Sequence, residues 1–204
     1  MGFLTDEPIV DIEVHNCRFF VNVSFDRILL VQQLYEEDKL SELDKLDQAL
    51  KMLVVNCRKL RRLSVEHKSE LLTEIYNRCV NVQQRPAIRK SLPVFDFEYD
   101  GEYIYASFLL DYGIDLIDMQ GKLSWKKFIA LFQGLSEKSK IREVMRIRST
   151  DIPRYDGHNQ KQIQEIQELK SYYALPVKGG GGQQGLDSLF VALEAMAVKN
   201  NNSI

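Results

Sequence analysis

Apolar residues recur three and four positions apart over most of this chain, the spacing that lines one face of an α-helix. The exception lies near the start, where Val10, Ile12, Val14 and then Phe19, Val21, Val23 alternate around His15-Asn16-Cys17-Arg18. Alternation is the signature of a strand, so residues 9–23 are predicted to form a hairpin with a short polar turn. Two strands alone are marginal in water, which requires the hairpin to lie on helices. Ser24 or Asp26 then caps a helix running to about residue 37, with Leu30, Val31, Leu34 and Tyr35 inward. Ser41 followed by Asp44 is a capping box, and Leu43, Leu46, Leu50, Leu53 and Val54 make a continuous stripe behind it. A third helix starts at Ser64 and points Leu71, Leu72, Ile75, Tyr76 and Cys79 inward.

A polar connector with Pro86 and Pro93 interrupts the pattern, because proline cannot sit inside a helix. Beyond it Asp96, Glu98, Asp100 and Glu102 precede a helix over residues 101–112, with Asp100 as N-cap and Gly113 in the left-handed C-cap position. Trp125, Phe128, Ile129 and Phe132 mark the next helix, and Ile141, Val144 and Met145 another after the turn Gln133-Gly134-Leu135-Ser136. A last helix before Leu175-Pro176 places Ile163, Ile166, Leu169 and Tyr173 inward. The predicted fold is mostly α, a helical bundle with a small N-terminal β-hairpin. It divides into a hairpin-plus-helices unit (1–80), a connector (81–95), a helical lobe (96–176), a glycine-rich tether (177–185) and an amphipathic terminal helix and tail (186–204). Leu186, Leu189, Phe190 and Leu193 form the apolar face of that final helix.

Composition narrows the class. With 45% apolar residues among 204, the chain buries one sizeable core. No apolar run approaches the roughly 20 residues that span a bilayer, and residues 1–10 carry acids where a leader would be basic, so a cytoplasmic location is expected. Cys17, Cys57 and Cys79 are odd in number and widely spaced, which predicts reduced thiols and no disulfide framework or zinc knuckle. A net charge of −2 conceals an asymmetry: residues 122–154 hold nine Lys or Arg against three Asp or Glu, a local +6 that leaves −8 elsewhere. Arg58-Lys59-Leu60-Arg61-Arg62 reads as a solvated helix end.

Candidate chemistry is sparse. Asp111, Asp115, Asp118 and Gly121 invite comparison with a calcium loop, but with Gly121 at loop position six, Lys127 falls where the bidentate carboxylate must sit. His15, His67 and His158 lie in separate elements, and neither a nucleophile elbow nor a phosphate-binding loop occurs. No enzyme activity, cofactor or metal is expected. The two helices around Gly134 also fit a helix-turn-helix, with Arg142, Arg146 and Arg148 on phosphates, although the residues supply no base-reading cluster.

The ordered words F-E-Y-D-G-E-Y-I-Y-A-S-F, Y-G-I-D-L, L-S-W-K-K-F-I-A-L-F-Q-G-L, I-R-E-V-M-R-I-R-S-T-D-I-P and L-K-S-Y-Y-A-L-P resemble a bacteriophage family of long-tailed phages infecting Gram-positive hosts. Its members are encoded between the major tail and tape-measure proteins and are regarded as tail-assembly chaperones. The resemblance covers residues 95–176, is weaker before them and ends at Pro176. It implies a non-catalytic protein of the host cytoplasm, absent from the mature virion. Implied partners are the tape-measure protein, the major tail protein, a second tail chaperone and further copies of itself. Within the matching words Trp125, Phe128, Phe132 and Tyr173 are expected in the core, and Lys126, Lys127, Arg146 and Arg148 at the surface. With Arg142, these four basic residues form one candidate partner surface, and Leu186, Leu189, Phe190 and Leu193 on their tether form a second. The alternatives are a nucleic-acid-binding protein and a permanent structural part of the tail.

Overall fold

The computed structural model describes residues 7–81 and 94–176. Most of the connector, the tether and the terminal helix lie outside these described residues, and with them Leu186, Leu189, Phe190 and Leu193. The chain begins as an antiparallel hairpin of β1 (Ile9–Val14) and β2 (Cys17–Asn22), in register with Val10 opposite Val21 and Val14 opposite Cys17. The turn is shorter than the alternation implied. His15 and Asn16 alone make it, both at positive φ (48° and 59°), as a two-residue turn that follows the strands' own twist demands. Ile12, Phe19 and Val21 are fully buried on one face, and the free edge of β2 bonds to Val55 N–H through the Phe20 carbonyl at 2.8 Å.

Helices follow in the expected order: α1 (Phe25–Glu36), α2 (Glu42–Leu53), α3 (Val65–Ile75), α4 (Gly101–Tyr112), α5 (Trp125–Gln133), α6 (Lys140–Ser149) and α7 (Gln160–Tyr172). The mostly helical bundle with an N-terminal hairpin is therefore the fold of the described residues. Ser41 caps α2 by accepting from Asp44 N–H at 3.2 Å, as the capping box required. Gly113 closes α4 at φ 65°, the left-handed conformation that costs glycine nothing. The basic run forms a separate 3₁₀ turn, Cys57–Arg62, that buries Leu60 and leaves its cations outward.

Three inward assignments fail. Leu30, Leu43 and Leu169 are 44%, 57% and 46% exposed, because each lies at the margin of its helix's apolar arc, where the tertiary contacts end. Phe25 and Ile28 take the buried face of α1 instead.

The two halves of the chain meet at the starts of α1 and α5. Phe25 N–H donates to the Leu123 carbonyl at 3.0 Å and Trp125 N–H donates to the Val23 carbonyl at 2.8 Å, so each segment supplies the other's first turn. Above this joint Phe25 stacks on Phe128 with centroids 4.8 Å apart, and Phe97, Phe108 and Trp125 close around the same ring. The single tryptophan is 1% exposed and donates its indole N–H to the Val80 carbonyl at 3.2 Å. Aromatic residues carry this core because each removes about 150–250 Å² from water.

Ser107 illustrates capping from outside the helix. Ser139, at the N-cap of α6, makes no capping bond; instead Ser107 of α4 accepts from Ile141 N–H at 3.0 Å in a fully buried position. Ser107→Ala should strand that buried donor and cost about 1–3 kcal/mol. Urea denaturation checks this, and an unchanged midpoint would show the bond to be dispensable.

Near the end of α1, burial and then the carboxylates of Asp96 and Glu98 push the Glu36 carboxyl above its ordinary range. A raised carboxyl binds protons more tightly in the folded state, so stability falls as pH rises through the folded value. Glu36→Gln should flatten that fall and add a few tenths of a kcal/mol at neutral pH, after discounting for screening at this partly exposed site. Melting temperatures at about pH 5 and pH 7 provide the test; a lower neutral-pH value in the variant would refute the assignment.

Candidate partner-binding surface

A buried ion pair joins the start of α4 to the end of α6. Asp100 stands at the N-cap of α4, yet its carboxylate does not cap the helix. It accepts two parallel bonds from the Arg148 guanidinium, at 2.6 and 2.7 Å, and one from Asp96 N–H at 2.9 Å. The Arg148 and Asp100 side chains are only 10% and 1% exposed. Arg148 also donates to the carbonyls of Val94 (3.0 Å) and Tyr173 (2.6 Å), so one side chain ties the segment before α4, the end of α6 and the end of α7. Lys170 completes the corner by donating to the Arg148 and Thr150 carbonyls at 2.7 and 2.6 Å, a cation at the negative end of α6.

This geometry removes Arg148 from the surface set. The reason is physical: a guanidinium forms two geometrically matched bonds to a carboxylate, and Asp100 is held at the correct height by the first turn of α4. Arg142 is similarly engaged, donating to the Gln133 carbonyl at 2.8 Å and the Leu135 carbonyl at 3.4 Å, where it neutralises the end of α5. Lys140 pairs with Glu143 at 3.0 Å and donates to the Tyr173 hydroxyl at 2.9 Å. Of the five basic candidates, Arg146 is exposed and Lys126 and Lys127 are half-buried, and these three have no ion-pair partner among the described residues.

Two consequences follow for the chemistry read from sequence. First, α6 packs chiefly on α4 and α7, and two of its three arginines face the protein, which leaves it poorly equipped to lie in a DNA groove. Second, Asp111 at the end of α4 and Asp115 in the loop after it use their carboxylates internally. Asp111 accepts from the Ser136 N–H and hydroxyl at 2.7 and 3.0 Å, while Asp115 accepts from the Tyr105 hydroxyl at 3.0 Å and from Ile117 N–H at 2.8 Å. The hydrogen bond from Tyr105 comes first among the causes holding the Asp115 carboxyl below its usual range.

What the surface offers is apolar contact. Helix α4 buries Ile104 and Phe108, but its opposite side carries Leu109 (46% exposed) and Leu110 (73% exposed), so hydrophobic residues stand on nearly every face. Alongside it opens a cavity of about 420 Å³ lined by Leu29, Phe97, Ile104, Tyr105, Leu116 and Ile117. Ile117, at its margin, is 65% exposed. Helix α7 buries no residue completely and leaves Tyr172 77% exposed. The partner surfaces expected from the sequence were the basic residues and the terminal apolar face of Leu186, Leu189, Phe190 and Leu193, and did not include Leu109 and Leu110. The available signal was the run I-Y-A-S-F-L-L, which contains more apolar residues than one helix face can bury.

Fold and surface together define a class: a small helical protein that leaves apolar helix faces uncovered beside an open hydrophobic cavity. Among the described residues no helix is long and apolar enough to cross a membrane. The chain belongs to the Bacteriophage Gp15 protein family, which it matches over residues 4–175. The match takes in the N-terminal hairpin, where the verbal resemblance was weak, and stops beside Pro176, where that resemblance ended. No curated protein and no solved structure matches the chain.

Proposed function

We propose that this phage protein is a tail-assembly chaperone that binds the tape-measure protein in the host cytoplasm, acts without catalysis and departs before the virion matures. The observation that supports this reading is the open apolar cavity alongside α4, with Ile117 exposed at its margin and Leu109 one turn beyond Tyr105 on the same side. A tape-measure protein is a long helical chain whose apolar stripes would aggregate if left in water, and an amphipathic helix fits a hydrophobic groove through residues three and four apart. Lys126, Lys127 and Arg146 would favour an acidic partner and fix its direction, contributing more to encounter rate than to affinity.

Co-expression with the tape-measure protein of the same phage tests the proposal. The expected result is a soluble tape-measure protein that co-purifies with this chain. A tape-measure protein that stays insoluble and unbound would end the proposal, and finding this chain in purified virions by mass spectrometry would make it a permanent tail part.

A further inference from the structure

Folding brings a side chain of the hairpin turn onto two neighbours on α3, about 50 positions further along the chain. His15 projects from the hairpin turn, and His67 and Glu70 stand one turn apart on α3, so that their ligand atoms all lie within 4.8 Å of one another. His15 Nε2 is 2.5 Å from Glu70 Oε2, and the two imidazole rings overlap with centroids 3.9 Å apart and planes 31° apart. The backbone holds each contributor firmly. Ser64 accepts from His67 N–H at 3.3 Å, which sets the first turn of α3, and His15 occupies a positive-φ turn position that asparagine or glycine would adopt at lower cost.

From this geometry we infer that His15, His67 and Glu70 form a binding site for a transition-metal dication of the zinc type, joining the hairpin tip to the first turns of α3. Two imidazoles and one carboxylate are a donor set that zinc accepts, and an i, i+3 pair on one helix face is a natural half of such a site. Around a tetrahedral zinc with bonds of about 2.0–2.1 Å, neighbouring ligand atoms sit roughly 3.3 Å apart. The ligand atoms already lie within 4.8 Å of one another, so small side-chain rotations that widen the 2.5 Å His15–Glu70 contact reach that spacing. His15 and Glu70 are about half exposed (49% and 55%), so an ion can enter from solvent and water can fill the remaining position.

The test uses the full chain carrying Cys17→Ser and Cys57→Ser, so that the two thiols nearest the surface do not compete. Zinc titration by calorimetry should saturate at one equivalent and raise the melting temperature, with the rise reversed by a chelator and absent with magnesium. Cobalt should give visible bands of nitrogen and oxygen ligation without the intense near-ultraviolet band of a thiolate. His15→Asn, which suits the turn, and the exposed change Glu70→Gln should each weaken zinc by roughly 100-fold or more while leaving circular dichroism unchanged, since even outer partners of metal ligands matter by 10–100-fold. Failure of the parent to bind zinc, or equal binding by either variant, would overturn the site.

Discussion

Arg148→Ala should be the most damaging single change at a position whose sequence reads as surface, lowering stability by about 3–5 kcal/mol. The loss has two parts. Truncation abandons the Val94 and Tyr173 carbonyls, and it leaves the Asp100 carboxylate, 1% exposed, without its counter-charge. Arg148→Lys should rescue little, because an ammonium cannot reproduce two parallel bonds to one carboxylate. A double-mutant cycle in urea resolves the pair: Asp100→Ala alone should also be costly, and the double variant should cost clearly less than the two single losses added, because neither charge is then stranded. A loss under about 1 kcal/mol for Arg148→Ala would mean that the corner is held by packing and that the ion pair is incidental.

Under the proposed function, Leu109→Glu combined with Ile117→Glu should abolish capture of the tape-measure protein while leaving the fold intact. The two residues are 46% and 65% exposed, so the change in folding stability should stay within about 0.5 kcal/mol. Binding is another matter. A partner helix laid across α4 would bury each introduced carboxylate against apolar surface, and a residue central to such an interface contributes 2 kcal/mol or more, about 30-fold in affinity. Co-expression with the tape-measure protein reads the outcome as solubility, and melting temperature confirms the fold. A variant that still solubilises the partner would move the interface away from α4. Lys126→Glu with Lys127→Glu should instead slow association at low salt with a smaller effect on affinity, which separates steering from contact.

Hairpin, helix order, the capping box at Ser41 and the left-handed cap at Gly113 were all legible along the chain, because each rests on residues within a few positions of one another. Other features were not. Asp100 reads as an N-cap by every local rule, and only the approach of α6 redirects its carboxylate to Arg148, 48 positions away. Ser139 stands at the N-cap of α6 without bonding it, and Ser107 of another helix accepts from Ile141 N–H in its place. The histidines appear unrelated until β1–β2 folds onto α3.

The sequence by itself determined which segments become helix or strand, where most of them start and stop, and which face of most of them is apolar, since periodicity and capping act over one or two turns. The family resemblance was likewise carried by words of local sequence. Tertiary structure alone decided which charges are paired inside and which remain at the surface, and how much of an apolar helix is covered. Those outcomes depend on desolvation and on the match between groups brought together from opposite ends of the chain, quantities that do not exist until the elements pack.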